Sequence, residues 1–298
     1  MKKTYLITIV LLLLTLILTV SISVNAANIE IGYGSLNGDT TYIIEDKDRF
    51  KSLLEFPLNV NIVNLKFSND NFELNLASSA ADADAGTFYD TDWYRQEGNE
   101  ESIYDEWDIY SESKSDLTAF ILDCKLSLIP ESIKDKDYKF NLGYKYQNFD
   151  FMIHDVIQWS SYYDDEDIFT SNGNVLDYEV DYHIPYIELE TETVKDKYST
   201  SFNIAISPFV NVYDRDDHLL RDKLAYITAS GRAINIGSKY TYNINKNVSF
   251  NINFDLVNIY TEGKQIQKNY RGRVLFRDID AVIKSQQLLF CTAIIVKF

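Results

Sequence analysis

The sequence has little cysteine: Cys124 and Cys291 are the only two among 298 residues. Two cysteines are too few to staple an exported chain of this length, and no local motif indicates whether they pair. Proline (4) and glycine (11) are also scarce, whereas tyrosine (22) and phenylalanine (17) are abundant. Aromatic and β-branched residues interspersed with polar ones are typical of strands. The composition therefore excludes a disulfide-stapled scaffold and favours an all-β protein.

Positive charge is in short supply as well. The chain has 28 Lys and Arg against 45 Asp and Glu, a formal net charge of −17. Nucleic acids bind proteins chiefly through cationic side chains on phosphates, so a nucleic-acid partner is not expected. The excess of negative charge favours cationic partners instead.

Long apolar runs are missing beyond the first residues. Two lysines precede an apolar run that ends near Val20, and Val24-Asn25-Ala26 then offers small residues for cleavage. This layout predicts a secretory signal peptide over residues 1–26 and a mature chain over 27–298, with an uncleaved membrane anchor as the alternative. No later segment has the length of a membrane helix. The mature chain is therefore either a soluble exported protein or a β-barrel.

Apolar and polar residues alternate with a period of two in several stretches. The apolar positions are Tyr138, Phe140, Leu142, Tyr144 and Tyr146, then Val248, Phe250, Ile252, Phe254 and Leu256, and finally Phe290, Thr292, Ile294, Val296 and Phe298. Such strands fit between lipid and a wet lumen, although a soluble sandwich could also bury one apolar face. The leader and the terminal Phe298 favour an all-β fold, a transmembrane antiparallel up-and-down β-barrel.

Two strands show a conflict in phase. The apolar positions Leu58, Val60 and Ile62 give way to Val63, Leu65 and Phe67, which predicts a bulge near Ile62. Phe202, Ile204 and Ile206 share their parity with Asp214, Asp216 and His218, so both sets would face the same side of an unbroken strand. Pro208 lies between them, and we predict a change of phase between Ser207 and Asp214.

The acidic stretch 97–116 and residues 164–174 are predicted to be long loops. Residues 28–45 are predicted to form a strand, a turn and a second strand.

Two acidic motifs carry the candidate chemistry. Asp214, Asp216 and His218 are two residues apart, as are Asp90 and Asp92, so each set shares one face of a strand. If both strands face one cavity, four carboxylates and an imidazole converge. Crowded carboxylates share protons, and a histidine with an acidic partner can act as a general base. The sequence predicts an acid–base site built from these five residues.

Simpler interpretations of the same residues exist. Asp90-Thr91-Asp92 could belong to a calcium loop or a strand end, and His218 could be a surface histidine. A metal site at His218 would need several more convergent ligands, so no metal is expected. His183, which precedes Pro185 in a strand, is expected to be structural, and His154 has no matching acidic motif.

Several motifs, in order along the chain, resemble those of the omptins, outer-membrane endopeptidases of Gram-negative bacteria. They are Ile31–Gly38 (the family's first-strand turn), Asp90–Trp93, Tyr182–Ile187, Asp216–His218 and the terminal Lys297-Phe298. The resemblance implies a monomeric barrel of about ten strands in outer-membrane lipid, extending above the outer leaflet, with an active-site groove at the extracellular rim. In that case Asp216 orients His218, which takes a proton from water. Asp90 and Asp92 position the water and handle the oxyanion, with no covalent intermediate.

The chain also departs from the omptin pattern. The family uses two acids to bind an Arg or Lys side chain of the substrate, and the resemblance puts Asp214 at one of these positions but Tyr42 at the other, with Glu45 as a possible substitute. Asn148 and Asp181 stand where the family's lipopolysaccharide-binding arginines are expected. The prediction is an endopeptidase acting on cationic peptides without a cofactor, lipopolysaccharide being a possible activating lipid. The alternative is a non-enzymatic barrel, a porin or an adhesin.

Overall fold

The computed structural model describes residues 28–46, 49–94, 107–128, 138–161 and 168–298. The predicted signal peptide over residues 1–26 lies outside these ranges. Within them, no helix has the length and apolar character needed to cross a membrane. The strands are β1 (Asn28–Asp46), β2 (Phe50–Pro57), β3 (Val60–Ser68), β4 (Phe72–Ser79), β5 (Ala83–Tyr94), β6 (Ile109–Leu128), β7 (Tyr138–Ser160), β8 (Phe169–Lys195), β9 (Tyr198–His218), β10 (Lys223–Asn243), β11 (Val248–Lys268) and β12 (Val274–Lys297).

These strands form one closed antiparallel sheet. From β6 to β12 each strand pairs with the next along the chain, and β12 pairs with β1 to close the ring. Strand β1 pairs with β3 in its first half and with β2 in its second, so β2 and β3 are two halves of one wall strand. Strand β6 likewise pairs with both β4 and β5. Because β2 and β3 share one strand position in the barrel, and β4 and β5 share another, the twelve elements form a ten-stranded up-and-down barrel. This confirms the predicted fold class.

The barrel has two zones, and between Tyr138 and Ile153 strand β7 passes from one to the other without a change of phase. Its register shifts only beyond Ile153, so that Val156 is the next buried position. In its first half, Phe140 and Leu142 are exposed on the outer face, whereas Asn141 and Lys145 are buried inside. Further along the strand, the buried inward positions become apolar, as at Phe149. A polar interior with an apolar exterior is the pattern of a membrane-spanning strand. The first half therefore crosses the membrane, and the second half, whose core is apolar, extends above it.

This inversion explains why the predicted bulge near Ile62 is wrong. Strand β3 keeps an unbroken register with β1 from Val60 to Ser68. Ile62 is buried inside the barrel, and Val63 is exposed on its outer face. The apolar positions change parity because the strand enters the membrane zone, where lipid replaces water outside, not because its backbone slips.

Strand β9 does change phase, as predicted. Ser207 is buried, Pro208 and Phe209 are both exposed, with Phe209 at 72%, and Val210 is fully buried. The register also shifts on both neighbours, at Gly231/Ala233 in β10 and at His183/Ile187 in β8. The extra outward residue turns the rest of β9 over, so that the side chains from Val210 to His218 alternate in the opposite sense.

Three smaller expectations are wrong. Strand β6 begins at Ile109 and β8 at Phe169, so residues 109–116 and 171–174 are strand rather than loop. Residues 28–45 form one strand without a turn. Position 34 requires glycine not for a turn but because a Cβ atom there would come 1.9 Å from the backbone oxygen of Phe290 on β12. The open question of the cysteines is also answered, since both Cys124 and Cys291 are free.

Candidate active site

The two acidic motifs lie at the upper ends of β9 and β5. The change of phase in β9 directs Asp214, Asp216 and His218 into the barrel, where Asp216 is 2% exposed. His218 Nε2 lies 3.3 Å from Asp216 Oδ2. This is the acid–imidazole pair that the spacing predicts, and it lies above the membrane zone.

Asp90 faces the same space from the opposite wall. Asp90 and His218 line one cleft of about 310 Å³ at the upper end of the barrel, here called the rim cleft. Its other polar lining residues are Ser111, Ser113, Gln158 and Arg221. The structure thus brings together residues from β5, β6, β7 and β9 that are far apart in the sequence.

Buried polar atoms in and beside the rim cleft lack a hydrogen-bond partner. Within the described part of the chain these include Asp90 Oδ1, Ser113 Oγ and Asp216 Oδ1, whereas His218 Nε2 faces Asp216 Oδ2. Buried polar atoms are normally paired, so a group of unpaired ones is unusual in a stable interior. Their grouping on two facing walls gives the rim cleft the character of a reaction site.

The carboxylates in this site have pKa values displaced in opposite directions. Burial alone would raise the pKa of Asp216, but the adjacent His218 and the charges of Lys223 and Arg221 outweigh it and hold that pKa below its usual value. Burial and the charges of Asp92 and Asp216 raise the pKa of Asp90 well above its usual value. Asp216 is therefore held as an anion, whereas the Asp90 side favours the protonated form.

Ser52 is a member of the site that the sequence did not reveal. Its hydroxyl donates a hydrogen bond to Asp92 Oδ1, because Ser52 on β2 is the register partner of Asp92 on β5. Burial raises the pKa of Asp92, and the bond from Ser52 lowers it in part. The Tyr94 hydroxyl lies 3.5 Å from Asp92 Oδ2. No local motif marks Ser52, since only the pairing of distant strands places it here.

Arg221 and Lys223 were also missed. They lie in the hairpin between β9 and β10, where Lys223 pairs with His218 and Arg221 lines the rim cleft. Their positive charges lower the pKa of Asp90 and so offset part of the increase caused by burial. The signal for them was present in the sequence, because a tight hairpin returns the residues after His218 to its side.

Asp214 and Tyr42 lie beneath the rim cleft, inside the core. Asp214 Oδ1 accepts a hydrogen bond of 2.6 Å from the Ile227 backbone N–H, and Oδ2 accepts one of 3.2 Å from the Tyr178 hydroxyl. Tyr42 is 0% exposed, and its hydroxyl is bonded to Gln265 Nε2. Glu45 cannot replace Tyr42 in binding a substrate, because along β1 it alternates onto the outer face.

Asp217 and the other two histidines, His154 and His183, lie outside this constellation. Asp217 is bonded to Arg215 and to the Tyr270 hydroxyl. His183 Nδ1 lies 2.6 Å from the Tyr144 hydroxyl. His154 lies 3.4 Å from Asp116. Among the described residues, no group of three or more His, Cys, Asp or Glu side chains has an arrangement that could hold a metal ion.

Comparisons with known proteins agree with this geometry. The model of the Omptin family matches residues 23–288. The crystal structure of the outer membrane protease OmpT from Escherichia coli is similar with a TM-score of 0.71 and 16% identity, covering 92% of this chain and 97% of that chain. The outer membrane protein OprG from Pseudomonas aeruginosa, with a TM-score of 0.33 and 9% identity over 92% and 95% of the two chains, is too dissimilar to inform the fold. No curated protein matches the sequence. Because the family model spans most of the chain, and the fold agrees with that of OmpT, the chain belongs to the Omptin family.

Proposed function

We propose that this protein is an outer-membrane endopeptidase that hydrolyses peptide bonds in the rim cleft, on the extracellular side. The observation that carries the proposal is the Asp216–His218 pair facing Asp90 across one cleft. Membership of the Omptin family and the likeness to the protease OmpT support it.

In the proposed mechanism, His218 takes a proton from a water molecule that attacks the scissile carbonyl. The imidazolium that forms is stabilised by Asp216, whose lowered pKa keeps that carboxylate charged. When the tetrahedral intermediate collapses and the C–N bond breaks, His218 gives its proton to the leaving amine. The pair of Asp90 and Asp92, whose pKa values are both raised, holds a proton close to the developing oxyanion. A carboxyl group kept neutral by its surroundings can donate a hydrogen bond to such an oxyanion. No serine or cysteine nucleophile takes part.

The charge of the molecule favours cationic peptides as substrates. The formal net charge is −17, whereas the rim cleft itself is lined by both Asp90 and Arg221. The field of a strongly acidic molecule steers oppositely charged ligands towards it. The proposed enzyme acts as a monomer in outer-membrane lipid and needs no cofactor for its chemistry.

The interior of the barrel disfavours the alternative of a porin. In the membrane zone the lumen contains ion pairs such as Lys66–Glu73 at 2.7 Å and Lys125–Glu188 at 2.9 Å. Gln147 and Gln287 bridge it at 2.7 Å. Above them lies the apolar core around the fully buried Phe149 and Phe151. A lumen filled in this way suits a rigid scaffold better than a wide channel.

The decisive experiment is hydrolysis of an internally quenched peptide library by the folded mature protein in detergent. His218→Ala and Asp90→Asn should each lose activity, and His183→Ala, a histidine on the outer face, should retain it. Loss in the first two with retention in the third supports the proposal. A folded barrel that cleaves nothing, with or without lipopolysaccharide, indicates a non-enzymatic barrel such as an adhesin. Cleavage that survives all three changes means that other residues carry the reaction.

A further inference from the structure

Aromatic side chains fill the space beneath the rim cleft. Tyr42 stacks on Tyr178 with ring centroids 5.8 Å apart, and Tyr178 stacks on Phe56 at 4.2 Å. All three side chains are fully buried. Protein interiors are close-packed, so a long substrate side chain could enter here only by displacing a ring. The floor of the rim cleft is therefore closed.

Asp214, the acid that contacts these aromatic rings, is already engaged in hydrogen bonds. Asp214 receives its two hydrogen bonds from the backbone of Ile227 and the hydroxyl of Tyr178. Burial and the charge of Asp216 also raise the pKa of Asp214 well above its usual value, which favours the neutral form. A neutral carboxyl group with both oxygens bonded offers a Lys or Arg side chain no ion pair.

Apolar residues form much of the wall of the rim cleft along β7, β8 and the β9–β10 hairpin, where Gln158 and Arg221 are polar, and Phe88 on β5 adds to them. The apolar lining residues are Phe88, Val156, Phe169, Val175, Leu176 and Leu220. They lie around the same space as His218 and Asp90, which fix where the reacting carbonyl would be. A volume of about 310 Å³ falls at the lower end of the range for small-ligand pockets, enough for one large side chain.

We infer that the rim cleft accepts a large apolar side chain of the substrate next to the scissile bond, and not a basic one. This inference rests on the proposed peptidase function and names its specificity. We assign a substrate side chain to this apolar wall because the wall and the catalytic residues line the same cleft. Together with the negative charge of the molecule, it points to peptides that combine positive charge with large apolar residues.

A set of matched peptides tests the inference. Each peptide has a single central L-residue, Phe, Leu, Ala, Arg or Lys, and positive charge supplied by flanking D-lysines that resist cleavage. We expect kcat/KM for Phe and Leu to exceed that for Arg and Lys by about tenfold or more, with cut sites located by mass spectrometry. Preferred cleavage beside Arg or Lys overturns the inference and leaves the peptidase function intact. Failure to cleave any peptide overturns both.

Two neighbouring leucines provide the matched variants. Leu220 lines the rim cleft and is 54% exposed, whereas Leu219 is 40% exposed and lies outside the lining. Leu220→Asp should raise KM for the Phe peptide by about tenfold and reduce the preference for Phe over Arg. Leu220→Met, which keeps an apolar side chain of similar size, should leave both the KM and the preference as in the parent protein. Leu219→Asp should leave both values unchanged. Equal effects of the two Asp substitutions would overturn the assignment of this wall. Since both side chains are exposed, loss of folding is not expected.

Discussion

The Tyr178 hydroxyl donates a hydrogen bond of 3.2 Å to Asp214 Oδ2, and this bond makes Asp214 part of the core rather than part of the cleft surface. Burial raises the pKa of Asp214 well above its usual value. A carboxyl group with a raised pKa in the folded state stabilises the fold at acid pH, and this contribution is lost as the pH rises through the raised pKa. The barrel should therefore be less stable at pH 8 than at pH 5 because of this residue.

Asp214→Asn should weaken that dependence. An amide keeps an oxygen for the Ile227 N–H and a polar group for Tyr178, but it has no charge to desolvate. We expect a melting temperature at pH 8 a few degrees above that of the parent, and little difference at pH 4. Activity on the Phe peptide should stay within about threefold. If activity is lost while the variant remains folded, Asp214 binds substrate after all.

The fall of kcat/KM at alkaline pH, its alkaline limb, should follow the loss of the proton held by Asp90 and Asp92. Burial raises the pKa of Asp90, and the charge of Asp92 raises it further. Asp92→Asn removes that charge, so the proton should be lost at lower pH and the alkaline limb of kcat/KM should move down, by about one unit. An alkaline limb that does not move would show that the pair does not hold the proton needed in the reaction.

Ser52→Ala should shift the same limb in the other direction. The hydrogen bond from Ser52 lowers the pKa of Asp92, against the effect of burial. Without this bond the protonated form persists to higher pH, and the limb should move up. Because the two substitutions should shift the alkaline limb in opposite directions, a loss of folding in both variants cannot produce this result. The pH dependence of kcat/KM for both variants, measured side by side, is the test.

Activity should not depend on lipopolysaccharide. Asn148 donates a hydrogen bond of 2.9 Å to Asp181, and Glu179 lies beside them on the outer face of β7 and β8. Two carboxylates at this place repel the phosphates of a lipid head group. Purified lipopolysaccharide should change kcat/KM by less than about twofold. A rise of more than tenfold would show that the lipid binds elsewhere on the barrel.

The sequence predicted the barrel and the common inward face of Asp214, Asp216 and His218 because both follow from a period of two. Alternation in β7 and β11 marks strands, and the spacing of Asp214, Asp216 and His218 puts them on one face. Pro208 was enough to locate the change of phase that turns this face inward. These signals are local, so one sequence suffices to recognise them.

The errors arose where local signals have two causes. An inversion of apolar parity arises from a bulge or from passage between water and lipid, and in β3 the second cause applies. Gly34 serves a close approach of β12 rather than a turn. Ser52 and Tyr178 reach their acids through pairing and packing of distant strands, which single-sequence periodicity does not reveal.

The two-zone barrel predicts where a charge can be tolerated on the outer face of β11. Ile252 lies in the middle of the outward apolar positions that begin at Val248 and end at Leu256, and roughly nine to eleven residues span a membrane in a tilted strand. Asn258, on the same face, lies just beyond them. Ile252→Arg should lower the free energy of unfolding in lipid vesicles by about 2–4 kcal/mol, because it puts a cation near the bilayer midplane. Asn258→Arg should cost no more than about 1 kcal/mol. Equal costs in urea titrations would contradict the assignment of the membrane zone, since only lipid distinguishes these two positions on one face.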